Sequence, residues 1–150
     1  MSDSQRFPVA AHALAYLAHR QADSPARAVC SAELAASAPT SPVVVRRVTA
    51  LLAKAGLIRT RAGASGGAWL ARPAGQIGLD EVLKAVHGCA KFGMPMPGVK
   101  GCPTGEAIPK AVLGAIEAAD AAASKALSRI SVADLIKGAP AVRPIAEAAA

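Results

Sequence analysis

"VVVRRVTALLAKAGLIRTRAGASGGAWLARP", residues 43–73, carries six cations and no acid. A helical pattern of apolar residues runs as far as Gly56 and stops there. Two short apolar runs follow, "LIRTR" and "AWLAR", joined by "AGASGG". These residue types predict a basic helix leading straight into a β-hairpin with a glycine-rich tip. Ser41 is placed to cap the helix, and Pro42 falls at its first position, where a missing N–H costs nothing. Helical spacing puts Val44, Val48, Leu51, Leu52 and Ala55 on one stripe, with Val43, Arg46, Arg47, Ala50 and Lys54 on the other side.

Upstream, "CSAELAASA" reads as a short helix with Ser31 as its expected cap and Glu33 in the first turn, where the helix dipole favours an acid. "PTSP" is a turn. Residues 7–20 form a first helix with Ala10, Leu14 and Leu17 on one face. Its "RFPVAAHALAYLAHR" has the outline of a secretion signal, but His12 interrupts the apolar run, and a core helix is the better reading. Downstream, "LDEVLKAVHG" is a fourth helix with Leu79, Val82, Leu83 and Val86 inward. Residues 88–105 are dense in Gly and Pro and form a loop. A long helix is expected over residues 106–130, its stripe traced by Val112, Ile116, Ala119, Ala123, Leu127 and Ile130. Alanine at the centre of that stripe allows another helix to approach closely. "SVAD" at 131–134 is a capping box opening a last short helix. The predicted fold class is mainly α with a small β-hairpin.

The chain of 150 residues is long enough for one domain with a sizeable core. At 53% hydrophobic but only 3% aromatic residues, that core must be built from Ala, Val, Leu and Ile. The net charge of +7 is uneven. Residues 1–75 hold nine Lys/Arg against three Asp/Glu, a net of +6; residues 76–150 hold eight against seven, a net of +1. Such an excess in one half points to a polyanionic partner. No apolar run is long enough to span a membrane, so no membrane partner is expected and the cytoplasm is the expected location. Three cysteines fit no small disulfide scaffold.

Enzymatic signatures are missing from the pattern. There is no Walker-type phosphate loop and no H-E-x-x-H; His12, His19 and His87 are isolated, and Asp80–Glu81 is a helix start. What remains is a helix, a tight turn and a second, basic helix followed by a basic wing: a winged helix-turn-helix. In such a motif the leading part of the second helix enters the major groove of double-stranded DNA. Here it presents Thr40, Ser41, Val43, Arg46 and Arg47. Arg59 and Arg61 lead into the wing, where Gly63, Gly66 and Gly67 let its tip approach a phosphate backbone.

The run from "SAELAASAPTSPVVVRRV" through "LLAKAGLI", "GASGGAWLA" and "IGLDEVLKAV" resembles the Rrf-two family of winged-helix transcription regulators, over residues 7–88. Within it the residues look closest to the YwnA-like branch, related to IscR-like, NsrR-like and CymR-like regulators. The resemblance implies a homodimer on a pseudo-palindromic operator, with the helix at 106–130 as the dimerisation element. It carries the DNA contacts onto Thr40, Ser41, Pro42, Val43, Arg46 and Arg47 of the helix and Arg61, Gly66 and Gly67 of the wing. With the pattern of loops and prolines, the expected division is a winged helix-turn-helix over 1–75, a connecting helix and sensor loop over 76–105, dimerisation helices over 106–138 and a flexible tail over 139–150.

The cysteines depart from the family's iron–sulfur members, which bunch three in the loop before the dimerisation helix. This loop has only Cys89 and Cys102, so no cofactor is assigned; a cluster or other metal would need a further ligand such as His87. Cys30, ahead of a helix start in the more basic half, and Cys102, at the mouth of the long helix, are the candidate redox thiols, with Cys89 third. "KFGMPMPGVK" is a loop expected to pack onto the core, with a soft-metal or ligand pocket as the alternative. The expected function is a DNA-binding repressor answering a redox or small-molecule signal. The alternatives are a metal-dependent regulator on the same scaffold and a protein-interaction module whose basic wing meets an acidic partner.

Overall fold

The structure, a computed structural model, describes residues 5–88 and 92–139. Among these the order is α1 (Arg6–His19), α2 (Ser31–Ser37), α3 (Pro42–Lys54), β1 (Ile58–Arg61), β2 (Gly67–Leu70), α4 (Leu79–His87), α5 (Pro103–Leu127) and α6 (Val132–Leu135). Helix α1 is the central strut and packs against α2, α3, α4, α6 and β2. Leu14 and Leu17 of α1, Leu34 of α2, Val45, Val48 and Leu52 of α3, Val82 of α4 and Val132 of α6 share one core. The core is mainly aliphatic, with Tyr16 buried in it and Phe7 and Trp69 packed against it. Both α4 and α6 contribute to it, so the chain downstream of the hairpin helps to hold the reading head.

Two helix ends are closed by left-handed residues. At the end of α3, Gly56 has φ +73°, and Leu57 N–H reaches back to Leu52 O at 3.0 Å. At the end of α1, Gln21 takes the same role with φ +53°, and Ala22 N–H donates to Leu17 O at 2.9 Å. Strands β1 and β2 pair antiparallel in the register Ile58 with Leu70 through Arg61 with Gly67. A further rung lies outside the hairpin, on the other edge of β2: Val29 and Ala68 exchange two backbone hydrogen bonds, each of 2.9 Å. Trp69 is half-buried and packs against the core, anchoring the hairpin.

Four expectations are corrected. The buried stripe of α3 is Val45, Val48, Thr49 and Leu52. Val44, Leu51 and Ala55 are not part of its fully buried set, because the helix is rotated by about one residue. Three consecutive valines make its phase ambiguous in sequence. Thr49, a buried polar residue, stays satisfied by donating to Val45 O at 3.0 Å and Arg46 O at 3.1 Å. At α2 the cap is Cys30, whose Sγ accepts from Glu33 N–H at 3.4 Å; Ser31 is the first helical residue.

The third correction concerns α5, which begins at Pro103, not near residue 106, and ends at Leu127. Cys102 Sγ caps it, accepting from Gly105 N–H at 3.3 Å. Pro109 therefore lies within the helix and leaves Gly105 O without its i+4 donor. Val99 N–H supplies that donor at 3.3 Å. This explains the fourth correction. The loop before α5 folds onto the first turns of that helix, not onto the core, and Phe92, Met94, Met96 and Val99 are all exposed. Gly101 N–H adds a bond of 2.9 Å to Glu106 Oε1.

Helix α6 has its expected box: Ser131 Oγ accepts from Asp134 N–H at 3.2 Å, and Asp134 Oδ2 accepts from Ser131 N–H at 2.8 Å. Hydrogen bonds from Lys137 and from Ser131 hold the Asp134 carboxyl well below its ordinary pKa. At the start of α4 burial works against the charge of Glu81. Hydrogen bonds from Arg72 and from Gly78 N–H outweigh it, so this carboxyl too titrates below its usual range. No helix of the described residues is long and apolar enough to cross a membrane.

Candidate nucleic-acid interface

Helices α2 and α3 are joined by residues 38–41, with Ala38 buried beneath the turn. Ser41 Oγ accepts from Val44 N–H at 3.4 Å and Pro42 opens α3, both as the sequence predicts. The start of α3 thereby projects from the body. Ser41, Val43, Arg46, Arg47 and Ala50 are exposed, whereas Thr40 and Pro42 are half-buried. Arg46 Nη1 donates to Ser31 Oγ at 3.4 Å, which draws this guanidinium towards the start of α2.

The wing stands beside α3. Arg59, Thr60 and Arg61 are all exposed, so β1 leaves the core after its first residue, Ile58. Arg61 Nη2 donates to Ser65 O at 3.0 Å across the wing turn. The two wing glycines are required by packing before any ligand is considered. A Cβ on Gly66 would lie 2.2 Å from Arg61 O, and one on Gly67 would lie 2.6 Å from Val29 O. Gly66 lets the wing turn close, and Gly67 lets Val29 bridge to Ala68. Only Gly63, with φ +103° and open space around it, is free at the tip.

Between α3 and the wing runs a groove of about 540 Å³. It is lined by Cys30, Ser31 and Leu34, by Arg46, Thr49 and Ala50 of α3, and by Thr60 to Ala64, Gly66 and Gly67 of the wing. The structure thus brings Arg46, Arg61, Gly66 and Gly67 together. Arg47 and Arg59 are exposed but do not line the groove. Sequence reasoning missed Ser31, Thr60 and the place of Cys30 in the wall. Only a knowledge of how the segment before α2 pairs with β2 could have found them.

The remaining candidates separate. Cys30 and Cys102 are both exposed, and each caps a helix. Cys89 lies outside the described residues, as do residues 140–150 of the expected tail. Among the described residues no three His, Cys, Asp or Glu side chains are grouped to hold a metal ion, and Cys102 is engaged as a helix cap. The described residues therefore supply no donor set for an iron–sulfur cluster.

The stripe on α5 also divides. Ile116, Ala123 and Leu127 are half-buried, and Leu127 packs on the core; Val112, Ala119 and Ile130 are exposed. A different set, Ile108, Val112, Ala115, Ala119, Ala122 and Ala126, is exposed throughout at alternating spacings of four and three. That spacing is the seam of a two-helix supercoil. No residue of α5 is fully buried.

Residues 3–138 match the Rrf2 (Rrf-two) family, described as iron-dependent transcriptional regulators. No curated protein matches the chain in sequence. Among solved structures, a candidate DNA-binding protein is 32% identical, with a TM-score of 0.65 over 87% of this chain and 98% of its own. A candidate transcriptional regulator from Lactobacillus plantarum is 26% identical, with a TM-score of 0.67 over 87% of both chains. The T. potens IscR structure, at 23% identity and a TM-score of 0.63 over 93% of this chain and 89% of its own, shares the fold. A winged helix-turn-helix with a cation-rimmed groove, over a stretch that the family match covers nearly end to end, leads to one assignment: the chain belongs to the Rrf2 family of DNA-binding transcriptional regulators.

Proposed function

We propose that the chain is a homodimeric repressor that binds a pseudo-palindromic operator in the cytoplasm. The observation that carries this reading is the groove between α3 and the wing, with Arg46 and Arg61 on its two sides and Arg47 and Arg59 exposed beyond them. The leading part of α3, residues 40–47, enters the major groove. The wing, through Arg59, Arg61 and the turn that Gly66 and Gly67 shape, lies on the adjacent strand. Two copies meet along the seam of Ile108, Val112 and Ala119 on α5, so that their reading heads span two half-sites about one helical turn, ~34 Å, apart. Residues 1–75 read DNA, 76–105 connect, and 106–138 assemble the dimer.

The signal acts on exposed thiols. Oxidation or another modification of Cys30 changes the wall of the groove; at Cys102 it removes the cap of α5 and disturbs the loop stitched to that helix. Mobility shifts against a library of duplexes, repeated over a series of salt concentrations, test the reading. Sequence-selective binding that weakens steeply with salt is expected. Salt-sensitive capture of an acidic protein without selective DNA binding would favour an interaction module instead.

A further inference from the structure

We propose that the exposed face of α3 divides its labour by position: Val43 and Arg47, outside the groove, read a thymine and a nearby guanine, while Arg46, in the groove, acts with Arg61 as a clamp on the phosphate backbone. This assignment rests on the DNA-binding reading above. Residues 43 and 47 are one helical turn apart and neither lines the groove, whereas Ala50, one turn further along the helix, does. Val43 and Arg47 are both exposed, and Val43 is 50% exposed although it is apolar and sits at the leading end of the helix. A valine with an arginine one turn behind it forms a surface that is apolar at its tip and forked behind it. In the major groove the apolar feature is the thymine methyl, and the feature that matches a guanidinium fork is the O6/N7 edge of guanine.

Arg46 lies about 100° around the helix from Arg47 and about 60° from Val43, on the side nearer Ala50. Its side chain lines the groove, which those of Val43 and Arg47 do not, and it donates to Ser31 Oγ. Arg61 faces the same groove from the wing and is held by Ser65 O. Each guanidinium is oriented by a neutral oxygen, so both keep their full charge for an anion. Thr60 and Ser31 add hydroxyls to the same walls. Two cations and two hydroxyls in an open groove match a row of phosphates, which carry no sequence information.

The experiment begins with an operator half-site selected from random duplexes by the wild-type dimer. Uracil is then substituted for each thymine, which deletes only a methyl group, and 7-deazaguanine for each guanine, which deletes only the N7 acceptor. Binding is measured for the wild type, Val43→Ala, Arg47→Ala, Arg46→Ala and Arg46→Lys, with circular dichroism confirming the fold of each. Loss of one thymine methyl should weaken the wild type by about fourfold and leave Val43→Ala indifferent. Arg47→Ala should lose about 5- to 150-fold of discrimination at one guanine and become insensitive to 7-deazaguanine there. Arg46→Ala should weaken all sequences alike and reduce the salt slope by about one, and Arg46→Lys should restore that slope. Exchange of the two arginines' behaviour, or indifference of the wild type to uracil at every thymine, would overturn the division of labour while leaving the DNA reading intact. A wild type without any sequence-selective binding would overturn both.

Discussion

The Tyr16 hydroxyl donates to Glu33 Oε1 at 2.9 Å, and Arg20 Nε lies 3.2 Å from the same oxygen. Three side chains from two helices thereby fix the angle of α2 on α1, and with it the platform from which α3 projects. Burial, then the bond to Glu33 and its charge, push the Tyr16 phenol up to about 12. The folded state favours the neutral phenol. Its contribution to stability is thus fully present below pH ~10, the pKa of a free tyrosine, and is lost as pH rises towards 12. Tyr16 is the sole tyrosine. Phenolate absorbance should therefore show one native transition near pH 12 that falls to about 10 in denaturant. Tyr16→Phe should cost about 1.5 kcal/mol, the lower end for a bond to a charged group, because the pair is only partly buried. A native transition at the free-tyrosine value would refute the linkage.

Gly66 and Gly67 stand side by side but should fail differently. Gly67→Ala drives a methyl against Val29 O and breaks the rung between Val29 and Ala68, within the core. A loss of about 1–3 kcal/mol in denaturant unfolding is expected. Gly66→Ala distorts a turn outside the core, so its melting temperature should stay close to the wild type while operator affinity falls. Equal melting losses for the two variants would show that the wing turn and the rung unfold together.

The exposed seam on α5 sets the expectation for assembly. Ultracentrifugation should find a dimer at micromolar concentration, and Ala119→Glu should yield monomers. A carboxylate there would be buried without a partner where two helices approach closely. Ala121→Glu, also exposed but off the seam, should remain dimeric. Monomeric wild type, or dimers of Ala119→Glu, would remove α5 as the interface.

Cys30→Ser separates capping from chemistry. Serine is among the strongest N-cap residues, so α2 should keep its start and stability should hold or rise slightly. If the thiol in the groove wall carries the signal, alkylation should reduce DNA affinity in the wild type and leave Cys30→Ser unaffected. Cys102→Ser, with its cap likewise preserved, reports the second site. A wild type that keeps full affinity after complete alkylation would rule out both thiols.

Much of this architecture was legible because the informative residues have few alternatives. Pro42 after Ser41 and Gly56 after Lys54 bracket α3, and "AGASGG" between two apolar runs permits little besides a hairpin. Degeneracy hid the rest. Val43, Val44 and Val45 are identical, so spacing alone could not tell which of them is buried, and one residue of phase displaced the whole stripe. Cys30 was overlooked as a cap because sulfur is a weak acceptor beside the hydroxyl of Ser31. The start of α5 is hidden because the Gly- and Pro-dense residues 88–105 read as loop, although Pro103 already opens the helix and Pro109 lies within it. Its missing N–H is compensated by Val99, ten residues earlier, through a contact that no local rule encodes. Of the candidate interface, the cations were visible in sequence, but the groove depends on the long-range rung between Val29 and Ala68.

Trp69 has a further consequence. It is the single tryptophan, half-buried on the wing strand opposite Arg59, while the single tyrosine sits at the joint between α1 and α2. The molecule carries two natural optical probes, one on each half of its reading head, with different spectra. Indole emission follows the wing and phenol absorbance follows the helical platform, so the order in which the two respond to DNA can be timed in the unlabelled protein.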